Sequence, residues 1–170
     1  MTTNQEANNN YINGIFAFLK DNIEESIAHL SQAIEIDPDH TLAYMSRGAA
    51  FFRSDRLEEA IADFDRAIEL KPVLARSYHL RGLAKERQGN DAEAIADFEK
   101  AIELDSEYGA AYYSRATLHT KMGNEDLAVE DIQMVGYLTN KNIETFTNEN
   151  NVWRSQQMRL ESLTAGEMSR

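Results

Sequence analysis

Apolar residues recur along this chain at intervals of three and four, in blocks separated by turn-forming residues. Ile23, Ile27, Leu30, Ala33 and Ile34 form one block. Leu57, Ala60, Ile61, Phe64, Ala67 and Ile68 form a second, and Ala94, Ile95, Phe98, Ala101 and Ile102 a third. That spacing places each set on one face of an α-helix. Shorter marks, Tyr44-Gly48-Phe51 and Tyr78-Gly82, precede the second and third blocks and predict a partner helix for each. Asp21-Asn22 and Gln88-Gly89-Asn90 punctuate the pairs. Asp37-Pro38 and Lys71-Pro72 end them, because proline disfavours a helical residue before it and cannot continue the hydrogen-bond ladder. Shifting Tyr44–Leu70 by 34 residues lays it on Tyr78–Leu104, with Tyr, Arg-Gly, Ala-Ile-Ala-Asp-Phe and Ala-Ile-Glu-Leu coinciding. A fixed period of this size predicts a stacked array of hairpins, not one closed core.

The period divides the chain into residues 1–6, expected to be a disordered N-terminus, and four helix-turn-helix units at 7–40, 41–74, 75–108 and 109–142. A final segment, 143–170, departs from the period. Its Asn-rich stretch NIETFTNENN is a poor helix former, and Val152, Trp153, Gln156, Leu160 and Leu163 then return to helical spacing. This tail is expected to cap the open end near Ile132 and Val135, or to dock in a groove of its own or a neighbouring chain. Gly48 and Gly82 sit mid-helix although glycine there costs about 1 kcal/mol against alanine, which implies that another helix crosses too closely for a Cβ.

The order of these residues, an aromatic, Gly four on, Ala twelve later, an aromatic four further, Ala three later and Pro five later, resembles the tetratricopeptide repeat. Residues 41–108 carry it closely. Unit one departs at Asn10, Ser26 and Leu30, and unit four at Ala116, Ile132, Val135 and Asn140. The resemblance implies an all-α solenoid of about four repeats, with the first helix of each unit lining a concave surface that holds a segment of another protein. Relatives that grip a chaperone's C-terminal carboxylate use Lys and Asn at set groove positions. Tyr11, Ile15, Ser46, Arg76 and Leu80 stand there in this chain, and only Arg76 fits, so that clamp is expected to be absent.

Composition narrows the chemistry. A net charge of −12 argues against nucleic acid as a partner, since phosphate binding needs a concentrated basic footprint. With no cysteine there are no disulfides and no thiolate metal sites. No stretch approaches the roughly 18 apolar residues of a membrane span, and no signal peptide is readable, so a cytoplasmic protein without membrane contact is expected. No Gly-rich phosphate loop, metal-spaced His pair or nucleophile elbow occurs. His29, His40, His79 and His119 are isolated, and the carboxylates of Glu58-Glu59, Asp91/Glu93 and Glu125-Asp126 open second helices, where they complement the helix dipole. No catalytic residue, metal or cofactor is predicted.

Two constellations remain. Arg47, Arg81 and Arg115 are each followed sixteen residues on by Asp63, Asp97 and Asp131, whereas unit one has Asn13 and His29 at those places. Both charges vanish together, which predicts an ion pair between the helices of each hairpin. The groove is the candidate binding site. Tyr11, Ile15, Phe18, Met45 and Phe52 would form its apolar end, and Arg53, Arg76, Arg87 and Lys121, with His79 and Tyr113, its polar end. The predicted function is a non-catalytic scaffold (adaptor, assembly factor or co-chaperone) holding a peptide segment that is apolar at one end and acidic at the other. The competing reading of Phe18 and Phe52 is that they pack between neighbouring units. The alternative function is a structural protein that self-assembles through its end repeats or tail.

Overall fold

The computed structural model describes residues 3–167, with side chains described as far as residue 149. Every regular element among the described residues is an α-helix: α1 (Thr3–Leu19), α2 (Ile23–Ile36), α3 (Thr41–Arg53), α4 (Leu57–Leu70), α5 (Ala75–Arg87), α6 (Asp91–Leu104), α7 (Gly109–Lys121) and α8 (Glu125–Glu167). Consecutive helices pack as hairpins, each second helix packs on the next first helix, and the first helices α1, α3, α5 and α7 also meet in series. This is a solenoid, the arrangement the 34-residue period predicts.

The hairpin turns repeat with the same period. Asp21 (φ 67°), Asp55 (φ 62°), Gly89 (φ 86°) and Gly123 (φ 79°) occupy the left-handed region that closes each turn. Glycine takes it freely, and aspartate is among the few other residues that tolerate it. Acidic residues open α2, α4, α6 and α8 as the dipole favours.

The mid-helix glycines are where the two helices of a hairpin touch. A Cβ on Gly48 would lie 2.7 Å from the Phe64 ring, one on Gly82 2.6 Å from the Phe98 ring, and one on Gly14 2.6 Å from Leu30 Cγ. Phe64, Phe98 and Leu30 are fully buried. Unit four substitutes both members of the pair, Ala116 for the glycine and Ile132 for the ring. The core is therefore a row of small clusters, each shared by adjacent units: Ala33, Ile34 and Ala43, then Phe51, Ala60, Phe64 and Ala84, then Ala94, Phe98 and Leu118.

Both ends depart from expectation. Residues 1–6 were expected to be disordered, yet α1 begins at Thr3, because nothing in Thr3–Glu6 breaks a helix and Asn10 Nδ2 donates to the Glu6 carbonyl at 3.2 Å. At the other end α8 continues past the repeat for 43 residues in all, roughly 65 Å at 1.5 Å per residue. The Asn-rich stretch does not interrupt it. Thr145 and Thr147 satisfy their hydroxyls on the Lys141 and Ile143 carbonyls, at 2.9 and 2.8 Å, instead of leaving the helix. The packing expected of Trp153, Leu160 and Leu163 lies outside the residues whose side chains are described. Among the described residues, no helix is long and apolar enough to cross a membrane and no His/Asp/Glu cluster could hold a metal ion.

Candidate concave binding site

The inter-helix ion pairs join the two helices of units two, three and four. Arg47 donates Nε and Nη2 to Asp63 at 2.8 Å each, Arg81 donates Nε to Asp97 at 2.9 Å, and Arg115 donates Nε and Nη2 to Asp131 at 2.8 and 2.7 Å. All three carboxylates are buried. The bonds from these aspartates hold all three guanidinium groups above their ordinary pKa. Burial pushes Asp63 the other way for a charged group, upward, against the Arg47 bonds that pull it down. Such a pair adds little net energy, but losing one member strands a buried charge. Two of the three also reach the preceding unit: Arg47 Nη1 donates to Ser31 Oγ at 3.0 Å and Arg81 Nη1 to Asp65 at 2.6 Å. The predicted pairs thus tie units together as well as helices, a role the spacing of sixteen did not reveal.

Five of the predicted groove residues converge on one slot of about 330 Å³ between α1 and α3. Tyr11, Ile15, Phe18 and Leu19 form one wall, Leu42, Met45, Ser46 and Ala49 the other, and Arg76 of α5 stands at its mouth. The volume falls within the range of small-ligand clefts. Arg76 is exposed at the second position of α5, where a cation is disfavoured by the helix dipole. It is the one arginine among the described residues without an ion pair.

The remaining predicted residues lie elsewhere. Phe52 packs against the Phe51, Ala60, Phe64 and Ala84 cluster. The Arg87 guanidinium lies over its ring at 3.9 Å. Arg87 also donates to the Phe52 carbonyl at 3.0 Å and faces Asp55. Arg53 repeats this one unit earlier, over the Phe18 ring at 5.2 Å with an ion pair to Asp21 at 3.0 Å, and Lys121 bonds Asp91 at 2.8 Å. The basic row therefore has partners in the preceding unit, and its cations cover helix ends and turn acids. Sequence reasoning missed this because the partners lie 30 to 35 residues away, next to one full period. The recurrence of Asp21 and Asp55 with the row was the available signal.

His79 is also not in the open groove. It is buried between units three and four, with Nδ1 3.0 Å from Tyr108 Oη and Nε2 2.9 Å from Ser114 Oγ. Burial, with Arg76 nearby, lowers its pKa to about 4, so it is neutral at pH 7. Tyr113 is exposed on α7, apart from the slot.

Tetratricopeptide repeat models match residues 20–75 and 75–108, together more than half of the chain. The crystal structure of MamA superposes with a TM-score of 0.76 at 25% identity, covering 81% of each chain. The first tetratricopeptide domain of Spaghetti (RPAP3) bound to an HSP90 peptide, SRMEEVD, superposes at 0.68 with 23% identity, over 70% of this chain and 94% of that one. The tetratricopeptide domain of Arabidopsis OM64 gives 0.68 at 22% identity, over 70% and 98%. Among curated proteins, none matches this sequence.

Proposed function

This chain belongs to the tetratricopeptide repeat family, a family of protein-interaction scaffolds, and on that premise we propose that it holds a short peptide segment in the slot between α1 and α3, without catalysis. The observation that carries this is the pairing of an apolar slot with an uncommitted cation at its mouth. A large apolar side chain of the ligand enters between Ile15, Phe18, Leu42 and Met45, and an acidic group meets Arg76. The HSP90 peptide on the RPAP3 domain, with Met and Val among acids, supports a ligand of that class. The rest of the basic row is left out of the site, because Arg53, Arg87 and Lys121 already bond within the solenoid.

Selection of displayed random peptides on the full chain tests this. Enriched sequences should carry a large apolar residue with Asp or Glu a few positions away. Leu42→Glu, at an exposed wall position, should abolish enrichment. Arg76→Glu should retain the apolar preference and lose the acidic one, because it removes complementarity without touching the slot walls. The same enriched motif on both variants would place binding on another surface and end this reading.

A further inference from the structure

The two outer faces of the solenoid, on α1 and α8, carry substitutions that match each other. Inside the array each second helix buries a large side chain against the next first helix: Phe64 meets Ala84 and Phe98 meets Leu118. Counting by the period, the residue of α8 equivalent to Phe64 and Phe98 is Ile132, and the residue of α1 equivalent to Ala84 and Leu118 is Phe16. Ile132 is 49% exposed and Phe16 57% exposed. An Ile132–Phe16 contact has the bulk of the Phe98–Leu118 pair with the ring moved to the first helix, so it would fill the space that this interior pair fills.

The polar contact beside it is matched in the same way. Arg47 bonds Ser31 and Arg81 bonds Asp65 across the first two interior junctions. The equivalent pair at the ends is Asn13 of α1 with Gln133 of α8, two neutral amides that can donate and accept to each other. Had α1 kept an arginine there, it would carry an unmatched charge into the junction. Helix lengths agree too. First and second helices run antiparallel across a junction, so the early start of α1 at Thr3 and the late end of α8 fall at the same end and lengthen one contact.

We propose that the α8 outer face (Val129, Ile132, Gln133) of one copy stacks on the α1 outer face (Asn13, Phe16) of a second copy, continuing the solenoid head to tail. The contact is heterologous, so it leaves a free face at each end and yields open chains, not a closed dimer. No ion pair crosses it. Added salt should therefore strengthen association by screening the mutual repulsion of acidic copies.

Sedimentation of the full chain over a concentration series tests the proposal. The weight-average mass of the wild type should rise without levelling at a dimer. Phe16→Glu and Ile132→Glu should each weaken association at least tenfold, since both place a charge in an apolar contact. Both positions are exposed, so the helical circular dichroism of each variant should match the wild type. An equimolar mixture of the two variants retains one good junction and should stop at a dimer. A wild type that stays monomeric to its solubility limit overturns the proposal. So does association that Phe16→Glu leaves intact, which would mean tail-to-tail pairing, or a mixture that remains monomeric.

Discussion

Gly48 decides the distance between α3 and α4, and its replacement tests how tightly that distance is set. Alanine would gain about 1 kcal/mol of helix propensity, but its methyl would stand 2.7 Å from a fully buried Phe64 ring that has no room to turn. Overpacking of this kind costs roughly 1–3 kcal/mol, so Gly48→Ala should lower stability in a urea titration. Unit four already carries Ala116 with Ile132. Phe64→Ile should accordingly cost less in the Gly48→Ala background than alone, and additive effects would mean that the two residues do not share the space. A second residue-scale prediction concerns His79. It titrates near 4 when folded and near 6.5 when unfolded, so between those values the unfolded chain binds more protons. Its contribution is fully present above about pH 6.5 and falls as pH drops toward 4, by up to about 3 kcal/mol. His79→Met, with the residue that unit two uses at Met45, should melt with a flatter pH dependence over that window. Equal pH slopes would remove His79 from the account. The glycine contacts and the Arg–Asp pairs were legible in the sequence because their partners recur at fixed spacing within one unit. The burial of His79 was not, since it depends on Tyr108 at the end of its own unit and on Ser114 of the next, and the same ring pair recurs among the described residues only as Tyr11–His40, two periods earlier with the residue types exchanged.

Between elements, the junctions are held by cations that close over the preceding unit. Arg87 covers the Phe52 ring, takes the Phe52 carbonyl and faces the turn residue Asp55, all from one side chain. Removing it should loosen the α3–α5 junction by about 1–2 kcal/mol, from one charged hydrogen bond and part of a cation–π contact. Phe52→Ala should cost roughly 2–4 kcal/mol, below the range for a wholly buried ring because Phe52 is half-buried. The order of these two effects is the check, measured by thermal melts of both variants. A Phe52→Ala protein as stable as the wild type would return that ring to the open groove. The helices themselves were legible from periodicity, and so were their ends at Asp37-Pro38 and Lys71-Pro72. The length of α8 was not. Asparagine and threonine lower helix propensity only slightly per residue, and with threonines bonded back to the helix the stretch has no residue that forces a stop.

At the scale of the whole molecule, each unit touches only its neighbours, so stability should vary along the array instead of being shared evenly. Units two and three have neighbours on both sides, an Arg–Asp pair each, and a buried phenylalanine under a glycine. Unit one has Asn13 and His29 where the pair would be, and the His29 Nδ1 is buried without a hydrogen-bond partner. Unit four keeps Arg115–Asp131 but leaves Val129 and Ile132 exposed on the outer face of α8. Amide hydrogen exchange at a concentration where copies are separate should then be slowest in α3 to α6, faster in α7 and the first turns of α8, and fastest in α1 and α2. The gradient has a consequence for binding, because the proposed peptide slot lies between α1 and α3, at the less stable end. A ligand there binds the folded unit one and not its open form, so it should slow exchange in α1 and α2 more than in α5 and α6. Uniform exchange along the chain would mean that the array opens all at once. The slot would then have no local flexibility of its own, and ligand protection would spread evenly over all four units.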